Sequence, residues 1–240
     1  MRRNSLVSVL AILSLLAYVG CEKEDGSVKT VKIEDYSSVI AECVDLGLSV
    51  KWASHNLGAK EPEGYGCYYA WGEIETKSSY RLENYRFRLS GDQLANLKFT
   101  KYNKKSYDGV VDDKTTLDLE DDVAHVKWGG EWRIPTPSEF GELLSNCTWT
   151  WTTQKGVTGY KVTSNVAGHE NSSIFLPAAG FFSGETVGCI GSFGYYQTNA
   201  LLNYPASCTY ESYKLYLTDD IKRLDSNFRH TGCSVRPVCP

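Results

Sequence analysis

The chain has 240 residues, of which 42% are hydrophobic, 22% charged and 12% aromatic, with a net charge of −4 and 8 cysteines. That composition excludes disordered, collagen-like and many-span chains, and the length allows one large domain or two small ones, each with a core that needs no staple. A slightly acidic chain with no Lys/Arg block lacks the basic stripe that releases counterions from phosphates, so no nucleic-acid partner is expected.

In chain order, Met1-Arg2-Arg3-Asn4 is a short basic segment followed by an apolar run from Leu6 to Val19. The run is too short to span a bilayer comfortably and reads as the h-region of a signal peptide over residues 1–20. It ends in Ala17-Tyr18-Val19-Gly20-Cys21, small residues before a cysteine, which resembles the lipobox of bacterial lipoproteins with Tyr18 in the place of the usual leucine. Cys21 is the expected lipidation site, and a lipid anchor is the only membrane contact expected. Residues 21–42 form an acidic tether and linker, beginning Glu22-Lys23-Glu24-Asp25-Gly26-Ser27, similar to the signal that sends Bacteroidetes lipoproteins to the outer face of the outer membrane. Export makes disulfides permissible, and the cysteines beyond Cys21 are odd in number.

Residues 43–240 contain no linker-like stretch and no repeat, and read as a single domain. Val44–Ala53 alternates Val44, Leu46, Leu48, Val50 and Trp52 on one face, a strand pattern, and Tyr65–Trp71 is a second strand candidate. Residues 72–118 are polar, tyrosine-rich and aperiodic, a long irregular excursion with short ordered pieces. Leu119–Trp128 reads as a helix with Glu120, Asp121 and Asp122 in its first turn and Gly129-Gly130 past its end. Thr136-Pro137-Ser138-Glu139 is a capping box that opens a second helix reaching about Asn146, with Phe140, Leu143 and Leu144 inward. Thr148–Thr152 then alternates and pairs with Tyr160–Ser164 across Lys155-Gly156 as a hairpin. Further strands are expected at Ile174–Leu176, Gly180–Ser183, Tyr195–Asn199, Tyr213–Thr218 and Cys233–Val238, giving an α+β fold.

Chemistry is thinly represented. His55, His125, His169 and His230 share no metal-ligand spacing with each other or with a cysteine, and the acidic runs Asp112-Asp113 and Glu120-Asp121-Asp122 lack the spacing of a calcium loop. No nucleophile elbow, phosphate loop or metalloprotease motif is present. No catalytic residue, metal or cofactor is expected, and the chain reads as a binding protein rather than an enzyme. The six tryptophans read as core. Arg133 and Arg236 read as buried ion pairs that tie the helix start to the last strand, with Glu139 as a partner.

The ordered blocks VDLGLSVKWAS (44–54), YYAWGE (68–73), KTTLDLEDDVAHVKWGGEWRIPT (114–136), CTWTWTT (147–153), GYKVTS (159–164), FLPAAG (175–180), GYY (194–196) and SVRPV (234–238) resemble the Fibrobacter succinogenes major paralogous domain of Bacteroidetes lipoproteins. That family is related to the C-type-lectin-like and formylglycine-generating-enzyme folds. The resemblance implies a C-type-lectin-like domain, two helices packed on short antiparallel strands with much irregular loop. The catalytic CxxxxC of formylglycine-generating enzymes has no counterpart, since Cys233 and Cys239 have five residues between them. In this fold the end of the second helix and the end of the last strand meet, implying a Cys147–Cys239 bridge. Cys43 and Cys67, placed about evenly around His55, are a second candidate pair.

Similarity to the variable proteins of diversity-generating retroelements implies a display face between Tyr195 and Arg229. Tyrosines interleaved with Asn, Ser, Thr and Gln there are a recognition composition. The candidate ligand-binding residues are Tyr195, Gln197, Asn199, Asn203, Tyr204, Tyr210, Tyr213, Asn227 and Arg229, for an extracellular protein or glycan. The expected protein is a surface-exposed outer-membrane lipoprotein with an adhesive role. The alternatives are a structural subunit of a surface or fimbrial assembly and, disfavoured, a formylglycine-generating-type oxidase.

Overall fold

The computed structural model describes residues 34–93, 96–202 and 209–240. Cys21, Asn203, Tyr204 and Cys208, and with them the signal-peptide and most of the tether expectations, lie outside the described residues. The elements are β1 (Cys43–Val44), β2 (Lys51–Ala53), β3 (Arg88–Ser90), β4 (Lys98–Phe99), α1 (Val123–Trp128), α2 (Pro137–Asn146), β5 (Cys147–Gln154), β6 (Val157–Ser164), β7 (Ser173–Pro177), β8 (Phe181–Ser183), β9 (Thr186–Gly188), β10 (Gly194–Leu201), β11 (Glu211–Leu217), β12 (Lys222–Phe228) and β13 (Val238–Cys239). All strand pairs are antiparallel, in small sheets ordered β1-β2-β13, β5-β6-β7, β10-β11-β12, β3-β4 and β8-β9. This is an α+β arrangement of two helices, short strands and loops.

Helix α2 forms where its capping box sits: Thr136 Oγ1 accepts from Glu139 N at 3.1 Å, and Glu139 Oε2 accepts from Thr136 N at 2.8 Å. Phe140 and Leu143 carry its buried face into a core with Trp52, Val162, Leu176, Tyr196, Leu215 and Leu217. The hairpin β5–β6 pairs in unbroken register from Cys147↔Ser164 to Gln154↔Val157, closed by Lys155 and Gly156 at positive φ. The second core lies under residues 65–128 and is mainly aromatic, with Tyr68, Trp71, Tyr85, Phe87, Phe99 and Tyr102.

Four expected elements differ. Val44–Ala53 is a hairpin rather than one strand. Asp45 Oδ1 accepts from Gly47 N at 2.8 Å, and Gly47 at φ +71 turns the chain where a Cβ would meet His169 at 2.7 Å. Residues 66–71 are buried and form a single bridge, Tyr69↔Cys233, because their backbone bonds go to scattered loop partners rather than to one neighbouring strand. The first helix starts at Val123, since the Asp122 carboxylate caps it by accepting from Ala124 N and His125 N, leaving Leu119–Asp121 as a 3-10 turn. Cys233–Val238 contributes only its end to a strand, and the polar β12 supplies the third strand beside β11.

The disulfide expectations are also corrected. Cys43 is bonded to Cys239, while Cys67 and Cys147 are free and buried. Strand β2 lies between β1 and β13, which brings Cys239 near Cys43, whereas Cys147 begins a strand of another sheet. Cys67 is packed behind Gly58, and its backbone N–H donates to Leu57 O at 2.9 Å.

Candidate functional site

The two faces of the β10–β11–β12 sheet do different things. Side chains alternate along a strand and paired residues share a face, so register assigns each row. The row Tyr196, Leu215 and Leu224 faces the α2 core. The rows Tyr195–Tyr216–Arg223 and Gln197–Lys214–Asp225 face the other way. At the Tyr195 end this second face is partly open, and strand β8 with the turn before β10 adds two phenyl rings to it.

The outcome is a half-buried aromatic patch. Phe181 stacks on Phe193 with centroids 5.5 Å apart, Phe193 meets Tyr195 at 5.8 Å and Tyr216 at 5.8 Å, and Tyr195 and Tyr216 lie 5.1 Å apart. Arg223 sits over the Tyr216 ring, 5.6 Å from its centroid, and its Nε and Nη2 donate to Asp225 Oδ2 at 3.0 and 2.7 Å. The Arg223 side chain is 58% exposed, so the rim of the patch offers a planar donor and a carboxylate to solvent. The turn that delivers Phe181 depends on Gly180 at φ +65, where a Cβ would meet Gly188 O at 1.9 Å.

Of the candidate ligand-binding residues, Tyr195 lies in the patch. Asn199, Tyr210, Tyr213 and Asn227 are partly exposed but lie elsewhere along the sheet, Tyr210 against Phe228 at 5.9 Å. Gln197 and Arg229 are fully buried, which removes them from any ligand surface. The Gln197 amide donates to Tyr69 O, because the 65–73 segment covers this part of the sheet. Arg229 turns inward, donating to Lys101 O and Tyr102 O at 3.3 and 2.6 Å, with its guanidinium 4.3 Å from the Phe99 centroid and 5.3 Å from that of Trp71. Burial lowers its pKa to about 10. Phe181, Phe193, Tyr216 and Arg223 were outside the expected set, although the alternation of β11 with Tyr213 and Tyr216 on opposite faces carried part of the signal.

Arg133 pairs with Glu139 as expected, at 2.5 Å. Arg236 does not form an ion pair: it is fully buried and donates to Asn56 Oδ1, Ala53 O and Phe175 O at 2.9, 2.9 and 2.7 Å. Trp132, Trp149 and Trp151 are only partly buried, in contrast to Trp52, Trp71 and Trp128.

Two other features could hold a ligand. Asp118, Glu120 and Asp121 lie close enough to share a cation, and the Lys101 ammonium sits among them at 2.7, 3.0 and 2.6 Å, supplying the positive charge itself. A cavity of about 320 Å³ opens beside Tyr68, Tyr80 and Phe182, with Asp35, Cys67 and Lys77 on its walls. Burial, with Asp35 beside it, pushes the Cys67 thiol up to about 12, so it stays protonated. The other cysteine of interest, Cys233, is fully buried and donates to Thr231 O at 3.7 Å, while Cys239 is consumed in its disulfide. Among the described residues no helix is long and apolar enough to cross a membrane. Comparison with protein-family models, curated proteins and solved structures finds no match.

Proposed function

We propose that the chain is a surface lipoprotein anchored through Cys21, with a C-type-lectin-like domain that binds an extracellular protein or glycan at the Phe181–Phe193–Tyr195–Tyr216–Arg223 patch. The observation that carries the reading is the patch itself, four rings in contact, partly exposed, on a rigid sheet, and rimmed by the Arg223–Asp225 pair. Rigid aromatic area offers contact at low entropic cost, and the planar charged pair supplies directional hydrogen bonds. The same surface suits the face of a sugar ring or an aromatic-rich protein epitope. The C-type-lectin-like frame is supported by the side-by-side placement of β2 and β13, which closes the two ends of the domain on each other.

Glycan and protein arrays probed with the chain lacking residues 1–20 test this reading. A bound class is expected, and Tyr216→Ala or Arg223→Ala lowers its affinity about tenfold or more, as removal of a central aromatic or arginine anchor does. Binding that survives both substitutions contradicts the assignment of the patch.

A further inference from the structure

Behind the patch, the same sheet face holds a buried cluster that the binding reading does not use. Gln197 and Lys214 are direct partners in the β10–β11 register, so their side chains leave one face from β-carbons about 5 Å apart. Both residues are fully buried. Among the described residues, Lys214 Nζ has no hydrogen-bond partner, and neither has Gln197 Oε1. Ser212, two residues along β11 and on the same face, carries a third buried atom, its Oγ, with no partner among the described residues.

Asp225 lies opposite Lys214 on β12 but its carboxylate is taken by Arg223, and among the described residues Lys214 makes no ion pair, so the buried amine is poorly placed as a cation. Burial lowers the Lys214 pKa to about 8, so roughly a tenth of the amine is neutral and nucleophilic near pH 7. The carboxamide opposite it is held in place through its nitrogen, which donates to Tyr69 O, and through the Gln197 backbone N–H, which donates to Ser234 O at 3.0 Å. Cys233 is the other nucleophile nearby, but its thiol already donates to Thr231 O, and burial raises its pKa.

We propose that Lys214 and Gln197 form an intramolecular isopeptide bond. The neutral Lys214 Nζ adds to Gln197 Cδ, the Cδ–Nε2 bond breaks, and one amine proton passes to the departing nitrogen, which leaves as ammonia. The step needs no oxidant and no co-reactant. It replaces a buried, unpaired amine by a neutral amide and joins β10 to β11 covalently, two residues from both Tyr195 and Tyr216. The patch would then stand on two strands that cannot slide apart under load.

The test is mass spectrometry on the reduced, denatured full-length chain and on Lys214→Arg and Gln197→Ala variants. The wild-type mass is expected below that of its sequence by one ammonia, with a branched peptide whose fragment ions join the residue 197 and residue 214 segments. Both variants are expected to lack the branched peptide. A wild-type chain of full mass, with residues 197 and 214 in separate unmodified peptides, overturns the proposal. A loss of ammonia that hydroxylamine reverses, with Cys233 refractory to alkylation until then, also overturns it, because the bond would be a Cys233–Gln197 thioester.

Discussion

The core beside α2 and the core beneath residues 65–128 solve the same problem by different means. Beside α2, most buried side chains are aliphatic or aromatic residues on helices and strands, and ladders satisfy the backbone. Beneath the loops there is little ladder, and polar tips of aromatic side chains fasten the backbone instead. Tyr68 Oη donates to Ala179 O at 2.5 Å, Tyr80 Oη to Tyr68 O, Tyr85 Oη to Trp71 O at 2.7 Å, and Trp71 Nε1 to Thr198 O at 3.0 Å. Buried backbone groups must be paired, so a long loop can enter a core only with such partners. The strand half is thus specified by shape and pattern, and the loop half by individual polar contacts.

Conservative substitutions separate the two halves most sharply. Phe140→Ala and Arg229→Ala are each expected to cost about 3–5 kcal/mol in chemical denaturation, the first through a cavity and the second also through two unmet carbonyls. Phe140→Leu should recover much of that loss, since it refills most of the cavity that alanine leaves, whereas Arg229→Lys should not, because an ammonium cannot reach both carbonyls and lie flat on Phe99 and Trp71. Equal rescue at both positions would erase the distinction.

Replacing Cys43 and Cys239 by serine opens a loop of sequence separation 196 and is expected to cost about 2–4 kcal/mol. Both halves should lose stability together, since β2 and β13 lie between the cores. Smaller again is a pH effect on the loop side. Burial of His230 lowers its pKa from 6.5 to about 4, with Glu83 opposing and Lys77 reinforcing the shift. The unfolded chain therefore takes up a proton that the folded chain refuses, and stability falls as pH drops from about 6.5 to about 4. His230→Gln should flatten that part of the pH–stability curve measured by thermal melts. The smallest effect, about 1 kcal/mol, is expected for Thr136→Ala, which removes one half of the α2 capping box.

The same contrast explains what was legible in the sequence. Thr136–Glu139 and Thr148–Thr152 advertise their structures because capping and alternation are local physics. Tyr65–Trp71 misleads because an aromatic run resembles a strand whether a ladder or tyrosine hydroxyls hold it. The Cys43–Cys239 pairing is not legible in the sequence because it depends on which strands lie beside β2, a long-range fact. The proposed binding face is half legible. Tyr195 lies in it, but composition does not reveal which face a residue occupies, and Gln197 shares the face of Tyr195 while lying under the 65–73 loop. Phe181 and Phe193 join the patch only through the turns around Gly180 and Gly191.

Both halves offer a place for a ligand, among them the open aromatic patch on the strand side and the cavity beside Tyr68 and Tyr80 on the loop side. The most direct measurement is an NMR titration of the isotopically labelled chain with a ligand identified on the arrays. The largest shifts are expected on the amides of Phe181, Phe193, Tyr195, Tyr216 and Arg223, while those of Thr76 to Tyr80 stay still. Shifts concentrated on Thr76 to Tyr80, with the patch unmoved, would contradict the assignment of the patch.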